Sequence, residues 1–494
     1  SGRMAGLSLD GGYNRFNYYL GGTYKKTDEV ETPKGRLDNS AVEDYNYSGG
    51  VNYSWEKMSL GLSGFGSRAD IEVPNFENNF KKARFEDEQH HAVFLNFESK
   101  KMSDAWTSLK IDGAFQRHNR RMRIINPSDQ QIKVDVDFDT FNLNPQTTFK
   151  FGAVHTVITG LQTLFESEKS DRMHPSPLIN GVGVIPPSTR LGLGAFAQDE
   201  ISVTDRFTVT AGLRYDWFRS ENKGEDGHPV EAVTENDGSV SGSLGLLYGV
   251  VKNRVNLTAN AGRAFRAPTL HERFFYGPHQ GTADYGNPNL DPETAWNFDA
   301  GVKMNFERLW FALSGFYNRI DDYIEKRLTG GTEFGLPKAE YANVSEAELY
   351  GGEVETELKT GFGLSVFGNM GYVRGKNLTS NENLSSIPPL KGSYGLRYER
   401  MAGAMNLWSE LSFHSAAEQA DPGLNESKTH GYTTVDIRAE AKIDKRLSVT
   451  VYCKNLADKA YHDHLSRISP ANAPEVDGLE QPGRSFGGSV KLYF

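Results

Sequence analysis

The segment Arg263–Glu293 contains the side chains of this chain that are best suited to bind a ligand. It reads RAFRAPTLHERFFYGPHQGTADYGNPNLDPE and includes two histidines, His271 and His279. A neutral imidazole ring is a good ligand for iron, copper and zinc. We therefore expect a ligand-binding site here, with His271 and His279 as its candidate metal-binding residues.

Arginine and aromatic side chains provide a second type of candidate contact. Guanidinium groups bind carboxylates and phosphates, and the rings of Phe274, Phe275 and Tyr276 could form the apolar walls of a pocket. Together they would suit an anionic ligand. The candidate arginines are Arg117, Arg120, Arg121, Arg123, Arg263, Arg266 and Arg273.

Two further histidines, His462 and His464, are spaced i, i+2. In an extended chain their side chains point to the same face and could form a metal-binding pair. The rings of His90 and His91 would point to opposite faces, which makes that pair a poor chelate. The chain contains no P-loop, GxSxG or HExxH motif, and its single cysteine, Cys453, excludes a cysteine-based metal site. We predict that the protein is not an enzyme and has no intrinsic cofactor.

The elements that position these residues are predicted to be β-strands. Apolar and polar residues alternate in segment after segment, for example in Phe16–Tyr24, Tyr45–Trp55 and Leu364–Tyr372. A period of two predicts strands with one apolar face and one wet face. We count 21 such segments, centred near residues 9, 19, 50, 61, 95, 111, 139, 160, 195, 212, 244, 258, 300, 315, 350, 368, 395, 409, 437, 451 and 489.

The connections between these segments alternate between short and long. Short ones are Gly12–Arg15, Glu56–Lys57, Thr204–Arg206, Lys252–Arg254, Phe306–Arg308 and Asp444–Arg446. Long ones are Lys25–Asp44, Ser67–His90, Glu166–Arg190, Arg219–Asp237, Arg263–Glu293, Lys326–Glu340, Gly375–Pro389, His414–Gly431 and Ala457–Pro482. Tight periplasmic turns on one rim and long extracellular loops on the other are typical of outer-membrane barrels. The predicted fold class is therefore all-β, a transmembrane antiparallel β-barrel whose apolar faces contact lipid.

The strand count predicts that part of the barrel is missing. Bacterial single-chain barrels have an even number of strands and both chain ends in the periplasm, whereas this pattern places Ser1 on the extracellular side. We therefore expect 22 strands, of which 21 are visible. Transporter barrels of this size hold a plug, and no segment of the 494 residues provides one. Residues 1–494 are interpreted as the barrel, with an N-terminal plug domain and the first strand missing.

Composition narrows the possible partners. The chain has 54 Lys and Arg against 64 Asp and Glu, a formal net charge of −10, which argues against nucleic acid as a partner. No run of 18 apolar residues exists, so a transmembrane helix is excluded. Arg120–Arg123 could contact either an anionic ligand or the acidic lipopolysaccharide of the outer rim, and both options stay open.

Several sequence motifs resemble the TonB-dependent outer-membrane receptor family. Phe265-Arg266-Ala267-Pro268 is similar to that family's FRAP box, and Asn287-Pro288-Asn289-Leu290 is similar to its NPNL box. Further similar pieces are Gly194–Glu200, Thr210–Asp216, Gly315–Tyr323, Asn343–Glu353, Asn455–Tyr461 and the closing Pro482–Phe486. The resemblance covers essentially the whole chain as the barrel portion of the family.

This resemblance implies an active transporter that binds and imports an iron complex, a ferric siderophore or haem. In haem-receptor members a histidine between the two boxes binds the iron porphyrin, and His271 and His279 occupy that interval. The segment Tyr276–His279 also looks like zinc- and copper-uptake members, and cobalamin receptors share both boxes. The implied partners are outer-membrane lipid and the TonB energy-transducing complex, which would act through the missing plug. A passive porin-like channel, and a surface adhesin or phage receptor that uses only the loops, are the alternatives from other classes.

Overall fold

A computed structural model describes residues 1–74, 80–279, 281–423, 426–444, 446–466 and 478–494. In this part of the chain, no helix is long and apolar enough to cross a membrane.

Strands account for most of the chain. The first half contains β1 (Gly2–Tyr13), β2 (Phe16–Thr27), β3 (Val30–Thr32), β4 (Gly35–Leu37), β5 (Val42–Ser54), β6 (Met58–Glu72), β7 (Lys82–Lys100), β8 (Trp106–Ile125), β9 (Gln131–Phe151), β10 (His155–Met173), β11 (Ser188–Thr204), β12 (Phe207–Asn222) and β13 (Val233–Val251). The second half contains β14 (Val255–Arg266), a short helix α1 (Leu270–Phe274), β15 (Tyr276–His279), β16 (Thr282–Tyr285), β17 (Glu293–Asn305), β18 (Leu309–Glu333), β19 (Leu336–Lys359), β20 (Leu364–Asn377), β21 (Lys391–Ala402), β22 (Met405–Ala416), β23 (Tyr432–Ile443), β24 (Leu447–Lys454), a 3₁₀ helix (His464–Ser466) and β25 (Ser485–Leu492).

Twenty-one of these strands form the wall of the barrel. Each pairs antiparallel with the next wall strand along the chain, from β1–β2 to β24–β25. The remaining four strands lie in connections: β3 and β4 pair with each other, and β15 and β16 lie between β14 and β17. All 21 segments predicted from the alternation contain or overlap a wall strand, so the all-β transmembrane barrel is confirmed. The 22nd strand and the plug stay predictions.

The two faces of the wall have the chemistry that the alternation predicts. Leu257 on β14 and Leu313 on β18 lie on the outer face with 44% and 48% of their surface exposed. In a soluble protein such residues would be buried, whereas a membrane-facing wall exposes them to lipid. The lumen face carries polar pairs, for example Asn260, whose Nδ2 donates to Asp299 Oδ1 at 3.4 Å.

One predicted loop is wrong. Lys326–Glu340 was expected to be a long irregular connection, but β18 and β19 continue as a ladder to the pair Glu333 and Leu336. Only Phe334 and Gly335 separate the two strands. Both residues have positive φ, 53° and 76°, which suits a two-residue hairpin turn. The ladder therefore extends well beyond the membrane-facing part of the wall.

The apolar core of the molecule lies among the connections at the mouth of the barrel. It is formed by Val184, Ile185, Val230, Leu270, Phe274 and Phe275, with Val134, Val136 and Val233 packed against it. Three connections that are far apart in sequence supply these residues. Burial of their side chains therefore gives the loops at the mouth a fixed structure.

Candidate functional site

The connection between β14 and β17 begins with the short helix α1. Thr269 is its N-cap: the Thr269 Oγ1 accepts a hydrogen bond from the backbone N–H of Glu272 at 3.2 Å, and the Thr269 N–H donates to Glu272 Oε2 at 2.8 Å. This reciprocal capping box satisfies two backbone groups at the start of the helix. The pattern Thr-Leu-His-Glu thus fixes where His271 leaves the wall of the barrel.

Arg266 anchors the start of this connection to its end. Its Nε and Nη2 donate to the two carboxylate oxygens of Glu293 at 2.6 and 2.7 Å, and its Nη1 donates to Glu272 at 2.9 Å. A bidentate pair of this kind is both strong and directional. The guanidinium group proposed above as a ligand contact is therefore occupied by two carboxylates.

Arg273 is buried inside the same connection. Its Nη2 donates to both carboxylate oxygens of Asp237, at 2.8 and 3.0 Å, and its Nη1 donates to the carbonyl oxygen of Pro288. Only 1% of the arginine surface is exposed. Arg273 therefore joins α1 to β13 and to the NPNL segment, and in this structure it does not face the mouth.

The aromatic residues that follow Arg273 are buried as well. Phe274 is completely buried, and Phe275 and Tyr276 are 6% and 7% exposed. The Tyr276 hydroxyl donates to Glu333 Oε1 at 3.0 Å, so this residue also joins the connection to the β18–β19 hairpin. These residues form the packed interior of the mouth loops, and of the three only Phe275 also contacts His271 and His279.

His271 and His279 lie side by side. Their ring centroids are 5.2 Å apart, with an interplanar angle of 63°. Phe275 contacts both rings, with its centroid 4.2 Å from that of His271 and 5.3 Å from that of His279. The ring of Tyr341 stands edge-on to His271 at 5.9 Å. His271 and His279, which the sequence alone indicates as candidate ligands, thus form one cluster with two aromatic rings.

The two imidazoles differ in their electrostatic surroundings. Burial, together with a smaller effect of the neighbouring His279, lowers the pKa of His271 to about 4, so His271 is neutral at pH 7. His279 is more exposed, and its Nδ1 lies 3.0 Å from Asp284 Oδ2, which also accepts from Lys326 Nζ at 3.2 Å. Among the described residues, neither ring nitrogen of His271 has a hydrogen-bond partner. A neutral imidazole with an unshared lone pair is a competent ligand for iron.

The NPNL segment holds the far side of this cluster in place. Asn287 Nδ2 donates to the carbonyl oxygen of Tyr341 at 3.1 Å, and Asn287 Oδ1 accepts from the Asn289 N–H at 3.0 Å. Leu290 is 3% exposed. The motif therefore places Tyr341 beside His271. Phe265 and Ala267–Pro268 of the FRAP segment lie at the end of β14, where Ala267 and Pro268 are buried.

Sequence reasoning missed several residues that shape this site. Arg172 is buried, and its guanidinium donates to the carbonyl oxygens of Tyr276 (2.9 Å), Val182 (3.0 Å), Ile179 (3.2 Å) and Gly183 (3.3 Å). Asp284, Lys326 and Tyr341 were also missed. The alternation along β10 places Arg172 on the lumen face, but no local pattern indicates contacts with residues about a hundred positions away.

The other predicted arginines lie elsewhere on the wall. Arg120 Nη2 is 3.5 Å from Glu88 Oε1, and its guanidinium carbon lies 5.0 Å from the centroid of Phe85. Arg123 pairs with Asp135 and with Glu86. Arg120 and Arg123 are both on β8, and their partners lie on the adjacent strands. Neither contacts the histidine cluster.

His462 and His464 do not share a carboxylate. His462 Nε2 is 2.9 Å from Glu480 Oε2, whereas His464 Nδ1 is 3.0 Å from Thr429 Oγ1 and its Nε2 is 3.5 Å from Glu426 Oε2. His462 thus joins two parts of the β24–β25 connection, whereas His464 joins this connection to the one between β22 and β23. Within the described ranges, no group of three or more His, Cys, Asp or Glu side chains is arranged to hold a metal ion. A metal-binding role for His462 and His464 stays a prediction.

Comparison with known proteins gives one family. A family model described as TonB dependent receptor-like, beta-barrel matches residues 2–456. Heme/hemopexin utilization protein C of Haemophilus influenzae (strain ATCC 51907 / DSM 11121 / KW20 / Rd) is 27% identical over 296 residues, which cover 53% of this chain and 39% of that protein. Hemoglobin-haptoglobin utilization protein B of Neisseria meningitidis serogroup C is 23% identical over 343 residues, covering 59% and 42%. These matches span about 40% of the length of the curated relatives.

Solved structures show the same fold. The copper transporter OprC superimposes with a TM-score of 0.86 at 19% identity, over 100% of this chain and 79% of that one. A double mutant of the Serratia marcescens hemophore receptor HasR, in complex with its hemophore HasA and heme, gives a TM-score of 0.78 at 16% identity, over 99% and 78%. At these identities the likeness concerns the fold alone.

Proposed function

The chain belongs to the TonB-dependent receptor family and corresponds to the β-barrel of that family. We propose that it forms the barrel of an outer-membrane transporter that binds and imports haem. Members of this family are receptors and transporters, and they reside in the outer membrane. The chemistry is then binding and translocation, with no covalent change in the ligand. The TonB complex would supply the energy.

The observation that carries the choice of haem is the pair His271 and His279. The rings lie 5.2 Å apart, between the FRAP and NPNL segments, and His271 is neutral at pH 7. Axial coordination by a neutral imidazole is a common way in which proteins hold haem iron. Phe275 and Tyr341 add flat aromatic surfaces beside the imidazoles, which suits a porphyrin ring. The relatives named for heme and hemoglobin utilization support the same ligand.

A ferric siderophore is supported less well by this mouth. Such anionic ligands need cationic side chains that face solvent. Two of the three arginines of the segment, Arg266 and Arg273, are already paired with Glu293, Glu272 and Asp237, and the third, Arg263, donates to Ser239 Oγ and to the carbonyl oxygen of Val240. A siderophore that used Arg266 or Arg273 would have to displace these ion pairs, whereas haem iron needs only a free nitrogen.

The membrane contacts follow from the wall of the barrel. Lipid would cover the outer face, and Arg123 would meet the phosphates of lipopolysaccharide at the outer rim, whereas Arg120 has the same parity along β8 as the lumen-facing His118. Both arginines already have carboxylate partners on neighbouring strands. Their contribution to lipid binding is therefore expected to be small.

The test is titration of the detergent-purified chain with haemin, followed by the Soret band. We expect a saturable spectral change that weakens in His271→Ala and in His279→Ala and disappears in the double variant. His155→Ala is the matched control, because His155 lies at the opposite end of the wall and pairs with Asp199 at 2.6 Å. Unchanged haemin binding by the double variant would contradict the proposal. Binding of a ferric siderophore by a protein that ignores haemin would assign the site to siderophores.

A further inference from the structure

A second pair of histidines lies on the lumen face of β7 and β8. His90 and His118 are directly opposite each other in the ladder that joins these two strands. Val93 and Leu95 of β7 are exposed on the outer, membrane-facing side, so that the alternation directs His90 to the lumen. The ring centroids of His90 and His118 are 5.4 Å apart. From the sequence alone, only the adjacent pair His90 and His91 could be considered, and it is a poor chelate because its rings point to opposite faces.

The surroundings fix the same tautomer in both rings. His118 Nε2 is 2.8 Å from Glu88 Oε1, and His90 Nε2 is 3.2 Å from Gln116 Oε1. An oxygen acceptor at Nε2 requires the proton on that nitrogen, which leaves the lone pair on Nδ1. Neither Nδ1 has a hydrogen-bond partner among the described residues. A carboxylate behind a histidine is the usual support of a metal-ligating imidazole.

The spacing of the rings suits a shared metal ion. Two imidazole nitrogens bound at about 2.1 Å to a tetrahedral zinc ion place their ring centroids about 5 Å apart, close to the observed 5.4 Å. The ring of Phe65 stands edge-on to His90 at 5.0 Å and limits its rotation. We propose that His90 and His118 bind a divalent transition-metal ion through their Nδ1 atoms, with water in the remaining positions.

The site is independent of the haem proposal, because it shares no residue with the His271 and His279 cluster. Glu88 Oε1 also lies 3.5 Å from Arg120 Nη2, so this carboxylate is held by a cation and orients His118. Zn²⁺ is the probe with the fewest complications, since it has no redox chemistry. Cu²⁺ should bind more tightly at the same nitrogens.

The first experiment is calorimetric titration of the detergent-purified chain with ZnCl2, in a His271→Ala/His279→Ala background. We expect one binding event that is lost in His90→Ala and in His118→Ala and weakened about 10–100-fold in Glu88→Gln. A His462→Ala/His464→Ala variant should retain it. Zinc binding that survives removal of His90 and His118, or that is lost with His462 and His464, would overturn the proposal.

The second experiment identifies the ligands directly. The Cu²⁺ complex should show nitrogen couplings from two imidazoles in its electron paramagnetic resonance spectrum, and from one imidazole in His90→Ala or His118→Ala. His118→Gln preserves side-chain volume, and the heat-dependent gel mobility of each variant reports whether the barrel has folded. A Cu²⁺ spectrum that is identical in folded His118→Gln and in the parent would overturn the assignment.

Discussion

Removal of the carboxylate of Asp237 should release the connection that carries His271 while the barrel stays intact. Arg273 is 1% exposed and makes two of its three hydrogen bonds to Asp237. Loss of one partner from a buried ion pair costs about 3–5 kcal/mol, because the remaining charge has no compensation. At 1.4 kcal/mol per factor of ten, local opening of α1 in Asp237→Ala should become about a hundredfold to a few thousandfold more frequent.

The assay is native-state hydrogen exchange of the amides of α1, compared with those of the wall strands. The control is Asp139→Ala, which breaks the bidentate pair between Asp139 and Arg117. That pair is about half exposed, so its loss should cost less than about 1 kcal/mol and change exchange only near β8 and β9. If the α1 amides exchange equally fast in Asp237→Ala and in the parent, the buried pair does not hold the connection and the reasoning is refuted.

Three further predictions follow from the same structure. Arg266→Met should destabilise the start of α1 by about 1–2 kcal/mol, a value kept small because the Arg266 side chain is 41% exposed. Arg266→Lys should not restore the stability, since an ammonium group cannot form the bidentate pair of a guanidinium. Hydrogen exchange of the helix amides measures both effects. Burial lowers the pKa of His271 to about 4 from an ordinary 6.5, so on acidification His271 is protonated in the unfolded connection before it is protonated in the folded one. Protection of the connection from proteolysis should therefore be complete above about pH 6.5 and decline as the pH falls towards 4. Limited proteolysis at different pH values tests this, and a loss of protection on raising the pH would contradict it. Leu313→Arg on the outer face should cost about 2–4 kcal/mol of folding free energy in lipid vesicles, whereas Ser314→Arg, the next residue and directed to the lumen, should be tolerated; equal costs would mean that the faces are assigned wrongly.

The wall of the barrel could be predicted from the sequence because its signals are local. Alternation along Leu364–Tyr372 or Tyr45–Trp55 needs no information from elsewhere in the chain, and turn lengths are visible directly. The exception is the β18–β19 ladder. Beyond Lys326 polar residues and glycines predominate, and Leu328, Leu336 and Ala339 are the apolar exceptions. Because both faces lie outside the membrane there, alternation is lost although pairing continues.

The mouth could be predicted only in part. Both histidines of the Arg263–Glu293 segment are found in one cluster, as its composition suggested. By contrast, Arg273, Phe274 and Tyr276 were expected to face a ligand and instead form the interior of the loops. Arginine and aromatic residues are used both for packing and for recognition, so composition cannot separate these roles.

Contacts across strands account for what the sequence could not show. His90 meets His118 because the β7–β8 ladder keeps one register from Lys100 and Ser108 to Gln89 and Asn119. Arg172 meets Tyr276 only because two connections pack together above the lumen. Registers and loop packing depend on the whole fold, and they determine the second histidine pair and the position of the first.

The most direct test of the haem assignment is the low-temperature electron paramagnetic resonance spectrum of the ferric haem complex, recorded for the parent, His271→Ala and His279→Ala. We expect a spectrum of imidazole-ligated ferric haem in the parent and loss or alteration of that signal when either histidine is removed. A haem complex whose spectrum is the same in all three proteins would show that neither histidine holds the iron and would contradict the haem assignment.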